Sequence, residues 1–185
     1  MNINTLTNTA ISATPQHFTE AMSQLVSTVN IVATDGPMGR YGVTVSAVCS
    51  VSAEPPLILA CIHRRSPANF ALRHNNVFSV NALTSEHIHL AKTFAGHPDQ
   101  GLAYDFESME WHSHSTGAPC LDDALVFFDC IVDAFYEAGS HTIFIGRVQH
   151  VQEQDIDAGV LAYSQRDYMG CQSLNGVVVQ HDSAR

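Results

Sequence analysis

The stretch of this 185-residue chain richest in groups able to do chemistry is residues 42–69, GVTVSAVCSVSAEPPLILACIHRRSPAN. In an extended strand, successive side chains point to opposite faces. Val43, Val45, Ala47 and Cys49 then share one side and suit a core, while Thr44, Ser46, Val48 and Ser50 share the other. The second face is small and largely polar, so a flat ring can lie close against the backbone. Ser50-Val51-Ser52 leaves the strand with hydroxyls and free amides, and Glu54-Pro55-Pro56 stiffens the turn and removes two N–H donors. Past the next strand, His63-Arg64-Arg65-Ser66-Pro67 sets two of the eight basic residues at a helix start. Main-chain amides, a serine hydroxyl and a guanidinium form a phosphate site there. Taken alone, each position reads better as part of a solvated strand or turn. Their order is what points to a ligand.

Other chemistries find less support. Eleven histidines invite a metal, but His87 and His89 fall two apart on a predicted helix and point away from each other. His112 and His114 can share a strand face but lack an obvious third ligand, so no metal site is expected. Gly36, Gly39 and Gly42 have the wrong spacing for a dinucleotide fingerprint and span a turn between strands. The five cysteines (Cys49, Cys61, Cys120, Cys130, Cys171) are scattered with no C-x-x-C pair, which reads as reduced thiols in a cytosolic protein. A formal charge of −10 repels phosphate backbones and anionic lipid, so neither nucleic-acid nor membrane binding is expected. Any anionic ligand must be met by locally placed arginines.

The elements that position these residues follow from periodicity and turn chemistry. Thr14-Pro15 opens a helix in which Phe18, Met22, Leu25 and Val26 recur as one buried stripe. Val29, Ile31 and Ala33 then alternate with polar residues as a strand. Residues 35–39 read as a turn, and strands follow over 41–49 and 57–62. Ser66-Pro67 begins a short helix, 77–83 is a strand, and Ser85 begins a helix with Ile88, Ala91 and Phe94 on one side. Trp111 anchors an irregular region, two long strands cover 125–136 and 142–151, and 161–163 is a last short strand. Strands joined by tight turns, with three short helices, favour a closed antiparallel barrel over a doubly wound parallel sheet. The expected organisation is a mobile arm (1–14), a single domain (15–176) and a tail (177–185) that is a strand fragment or loose. The arm has neither the basic region nor the apolar run of a signal or transit peptide.

Residues 42–56 also resemble the signature of the flavin reductase family with the FMN-binding split barrel, the reductase components of two-component flavin monooxygenases. The likeness continues through residues 78–83, 90–96, 139–148 and 161–168, and covers about 18–170. The closest likeness is to the 4-hydroxyphenylacetate type. It implies a closed Greek-key split β-barrel and a homodimer with the flavin near its interface. The implied activity is NAD(P)H-dependent reduction of FMN or FAD, with NADH or NADPH as co-substrate. The reduced flavin passes to a partner oxygenase of the aromatic-hydroxylating type.

The resemblance also implies roles for individual residues. Thr44, Ser46 and Ala47 lie along the isoalloxazine, and Ser50, Val51 and Ser52 hydrogen-bond its polar edge. Cys61, Ile62 and His63 flank the ribityl chain, Arg64 and Ser66 are near the phosphate, and Phe94, Ala95 and Gly96 close the other side. His141 sits by the nicotinamide, with Arg166 and Tyr168 lining the same groove. Hydride transfer needs stacked rings rather than an acid–base pair, which makes His141 a group that orients the nicotinamide or stabilises charge on the reduced flavin rather than an obligatory proton donor. The competing readings are a flavin-binding electron carrier and a haem- or pyridoxal-phosphate-handling protein on a related barrel.

Overall fold

The computed structural model describes residues 13–154 and 158–172. Nearly all of the expected N-terminal arm, and the tail, lie outside the described residues. Thr14 caps helix α1 (Pro15–Met22), its hydroxyl accepting from the His17 N–H at 3.1 Å. Strands β1 (Ser27–Thr28), β2 (Asn30–Thr34), β3 (Tyr41–Val45), β4 (Val48–Ala53) and β5 (Pro56–His63) follow. Next come helix α2 (Pro67–Asn75), strand β6 (Val77–Ala82), a 3-10 turn (Ser85–His87) and helix α3 (Ile88–Phe94). Strands β7 (Trp111–Ser113), β8 (Pro119–Leu121), β9 (Val126–Ala138), β10 (His141–Glu153), β11 (Val160–Ser164) and β12 (Asp167–Cys171) complete the described chain. The expected mainly antiparallel β architecture with three short helices is what is observed.

The principal sheet has seven strands in the order β3-β2-β6-β9-β10-β5-β4, every neighbouring pair antiparallel. Its two outermost strands are consecutive in sequence, with only Ser46 and Ala47 between them. A flat sheet of this width holds its outer strands about 29 Å apart at the usual strand spacing. The three Cα steps from Val45 to Val48 reach at most about 11 Å. The sheet is therefore rolled until its edges meet at this corner, where the Cys61 N–H donates to the Ala47 carbonyl at 2.9 Å.

Inside the roll, Val32, Val45, Ile58, Ile62, Phe78, Val80 and Phe144 form one core with Ala68 and Leu72 of α2. A second core lies on the outer side of β2, where Val29, Ile31 and Ala33 meet Leu90, Ala91 and Phe94 of α3 together with Leu83, Leu121 and Leu161. Phe106 and Trp111 pack edge-on against Phe94, with ring centres 4.8 and 5.7 Å away. The Trp111 indole N–H is buried with no acceptor among the described residues. The other buried side-chain nitrogens and oxygens of the described residues are partnered: Asn75 accepts from the Met38 N–H at 2.9 Å and donates to the Gly39 carbonyl, tying the 35–39 turn to α2.

Three expectations are corrected here. The strand read over 41–49 breaks at Ser46-Ala47, which changes the parity: Val48 continues the core with Val43 and Val45, and Cys49 is exposed. β2 is buried on both faces rather than one, because α3 covers its outer side. The stripe on and after α1 is exposed, with Phe18 59%, Met22 48%, Leu25 55% and Val26 62% open, since no described element covers it.

Gly42 shows how tight the second core is, because a Cβ there falls 2.6 Å from the Phe94 ring and 3.0 Å from Phe106. Gly42→Ala is expected to cost about 1–3 kcal/mol through overpacking. Urea denaturation checks this: an unchanged midpoint means that the ring cluster yields more easily than a packed core should.

Candidate functional site

The corner that ends β3 is the floor of the site. A cleft of about 530 Å³ opens beside it, between Thr44, Val45 and Ser46, the end of α3 with Lys92, Ala95, His97 and Asp99, and the β11–β12 hairpin with Tyr163, Arg166, Asp167 and Tyr168. Five residues singled out from the sequence therefore meet here: Thr44, Ser46, Ala95, Arg166 and Tyr168. The Thr44 hydroxyl donates to the Ala91 carbonyl at 2.7 Å, so it fixes α3 against the corner. Ser46 and Ala47 are exposed and short, leaving the main chain open to close approach. Burial and the neighbouring Tyr163 hold the Tyr168 phenol above its ordinary value, partly offset by Lys92.

From the corner the site continues along both strands that flank it. β4 is an edge strand among the described residues, so one side of its backbone pairs with no other described strand. A bulge between Ser50 and Ser52 leaves Val51 unpaired, 47% exposed, and re-aims this segment. Ser50 and Ser52 line a second, apolar groove of about 450 Å³ with Val48, Leu57, Phe128, Val148 and Val151. On the other side, Ala47 neighbours Cys61 and Cys61 neighbours Ile143 in the ladder, so the corner shares one rim with His63 and His141. Those two histidines are register partners with rings 5.1 Å apart, edge to face. The His63 Nδ1 accepts from the Arg65 N–H at 3.1 Å, and the His141 Nδ1 lies 2.9 Å from the Ser140 hydroxyl. Neither histidine lines the larger cleft.

Several expected ligand residues are occupied otherwise. Ile62 is wholly buried in the inner core and its carbonyl accepts from Asn69, so its side chain offers a ligand no surface. Phe94 is equally buried, its ring spent on Phe106 and Trp111. Gly96 ends α3 in the left-handed region (φ +85°) beneath Tyr104. Ser66 begins α2 without a side-chain cap bond and lines a smaller cavity of about 220 Å³ with Arg40, Tyr41 and Tyr104. Cys61 is half-buried, and burial, then the nearby Cys49, push its thiol up. Cys120 is pushed up to about 12 by burial and Asp129, which leaves no thiolate for nucleophilic chemistry.

The allocation of charge is the part the sequence hid. Arg64 is 3.2 Å from Glu137 and Arg73 is 2.9 Å from the same carboxylate, with the Arg73 guanidinium over the Phe135 ring. Arg40, Lys92 and Arg147 are likewise paired, with Asp35, Asp99 and Asp133. Among the described residues only Arg65 and Arg166 are lysines or arginines without a carboxylate partner. In a chain with more than twice as many acidic as basic residues, an unpaired guanidinium beside a cleft is a reserved charge. Lys92, the chain's single lysine, and Tyr163 were also missed as lining residues, although both fall within segments that carry the family likeness.

The architecture is that of a rolled antiparallel sheet with a cleft at its open corner and Arg166 on the lining, not that of a doubly wound fold. The chain belongs to the flavin reductase-like family, whose domain matches residues 22–172. It is 43% identical over 159 residues to the FMN reductase (NADH) RutF 2 of Methylorubrum extorquens strain PA1, covering 86% of this chain and 90% of that one. Among solved structures it resembles the flavin reductase PheA2, with TM-score 0.77 and 25% identity over 87% of this chain and 100% of the other. It also resembles BorF, the flavin reductase component of a bacterial two-component tryptophan halogenase, with TM-score 0.76 and 26% identity over 85% and 98%.

The Arg64–Glu137–Arg73 clasp generates a prediction. The hydrogen bond from Arg73, then the charge of Arg64, hold the Glu137 carboxyl below its ordinary value. A lowered native value means that its contribution is full above the unfolded value of about 4.3 and fades as pH falls through the native one. The melting-temperature difference between wild type and Glu137→Gln is therefore expected to be constant near neutrality and to vanish in acid. A difference that grows in acid contradicts the clasp.

Proposed function

We propose that the protein is an NADH:flavin oxidoreductase that reduces FMN and releases it to a separate flavin-dependent monooxygenase of the aromatic-hydroxylating type. The observation that carries this reading is the exposed Ser46-Ala47 corner opening onto the 530 Å³ cleft, in a chain of this family. FMN and NADH are favoured by the name of the 43%-identical relative, and an oxygenase partner by the two-component system to which BorF belongs.

The residues suit such ligands. The corner bears nothing larger than a serine, and β4 offers a backbone edge, unpaired among the described residues, to a ring with donors and acceptors on its rim. Hydride transfer between dihydronicotinamide and flavin is chemistry that the two ligands supply. The chain's task is to stack and shield them. In this reading Thr44, Ser46 and Ala47 support the ring face, Ser50 to Ser52 meet its polar edge, and Ala95 bounds the cleft. Cys61 and His63 follow the rim toward Ser66. His141, held by Ser140, orients the nicotinamide, and Tyr168 packs beside it. Arg65, rather than the clasped Arg64, is the cation at the α2 start.

The rolled sheet acts as a closed split barrel within one domain, and the protein works as a cytoplasmic homodimer. Support for the dimer comes from the exposed Phe18–Val26 stripe and the apolar groove beside β4, both of which a second copy can cover.

Purified protein mixed with NADH and FMN or FAD in air is expected to consume NADH, followed at 340 nm, with a rate that saturates in free flavin. No oxidation with either flavin overturns the proposal, and flavin retained through gel filtration without turnover favours an electron carrier. His141→Ala is expected to raise the KM for NADH several-fold while flavin affinity changes less. Equal losses in both remove its assignment to the nicotinamide.

A further inference from the structure

The β5–β10 ladder ends on an imidazole pair. His63 and His141 are its last register partners, and both point away from the inner core, since the adjacent Ile62 and Thr142 are wholly buried. Their rings stand at 84° with centres 5.1 Å apart. The main chain carries the pairing one step further. The Arg64 N–H donates to the Ser140 carbonyl at 2.9 Å, and the Arg64 Nη1 reaches the Gly139 carbonyl at 3.4 Å. Residues 63–65 thereby grip the Gly139-Ser140 turn from which His141 starts. The His63 ring is itself held, because its Nδ1 accepts from the Arg65 N–H at 3.1 Å. In the neutral ring that bond places the proton on Nε2. The Ser140 hydroxyl lies 2.9 Å from the His141 Nδ1, so the Nε2 is the ring nitrogen of His141 left for a ligand. An exposed cross-strand pair adds only modestly to a ladder, yet both rings here are fixed from a second side.

We infer that His63 is a positioning residue for His141, its own ring anchored by the Arg65 N–H so that it holds the opposite imidazole in one orientation. This rests on the reading that gives His141 to the nicotinamide, and it adds what keeps that histidine in place. Ser140 fixes one ring nitrogen, and the edge-to-face contact with His63 removes the remaining freedom to swing about the side-chain bonds. An alanine at 63 deletes that contact. A phenylalanine keeps a flat ring there.

The test compares His63→Ala and His63→Phe, each alone and combined with His141→Ala. It measures KM for NADH, kcat, FMN affinity and, in ligand-free protein, the NMR resonances of the His141 ring. His63→Ala is expected to raise the KM for NADH roughly three- to tenfold with FMN affinity unchanged. In the His141→Ala background it should add nothing further, because the two residues act as one unit. His63→Phe is expected to recover most of the loss, and to keep the His141 ring resonances nearer to wild type than His63→Ala does. Effects that simply add to those of His141→Ala, or an equal loss of FMN affinity, make His63 a separate ligand contact and overturn the inference. A lower melting temperature with unchanged kinetics and ring resonances marks a purely structural pair and overturns it too. Either outcome leaves the reductase reading intact. An unchanged KM for NADH in His141→Ala removes the nicotinamide assignment and this inference with it, and wild-type protein that oxidises no NADH with either flavin overturns the reductase reading as well.

Discussion

The short tether between β3 and β4 is the constraint on which the rest of the molecule depends. Because Ser46 and Ala47 must join strands from opposite ends of a seven-strand order, the sheet has no flat solution. Rolling it creates an inside, and the seven strands and α2 fill that inside with aliphatic and aromatic side chains. It also creates a seam, at which Ser46 and Ala47 lie exposed between strands although the Ala47 carbonyl is taken by the Cys61 N–H. The same two residues that force the fold thus expose the backbone that a ligand would need. Site and scaffold share one cause.

The outer face is governed by the second core. α3 lies against β2 through Leu90, Ala91 and Phe94, and the Thr44 hydroxyl pins it to the corner. One wall of the cleft is therefore set by close packing rather than by a loop. The opposite wall is the β11–β12 hairpin, held through Leu161 in the same core and by the Gln165 N–H on the Ser23 carbonyl.

Much of this was legible in the residues. The short apolar run of β5, the long β9–β10 pair around Gly139-Ser140, the 35–39 turn and the Pro-headed helices all declared themselves by composition, periodicity or turn chemistry. The break at Ser46 did not, since Val45-Ser46-Ala47-Val48 reads as uninterrupted strand and only the strand order demands a corner. The burial of Ile62 and Phe94 was hidden for a similar reason: each lies beside residues that do face the site, and a one-residue change of face is invisible without the register. Glu137 escaped notice because a carboxylate more than sixty positions from Arg64 and Arg73 becomes their partner only once β9 and β10 fold back on the helix start. Composition said that cations are scarce. Only the pairing says which of them are free.

Trp111 has a use beyond packing. It is the chain's single tryptophan, set against Phe94, which directly precedes the cleft-lining Ala95. Each molecule consequently carries one indole emitter, half-buried, a short distance behind the cleft wall. A yellow ring system absorbs where indole emits, so occupancy would be written in the protein's own fluorescence. The packing that stiffens the wall also equips it with an internal lamp, dimmed whenever such a ring is in place.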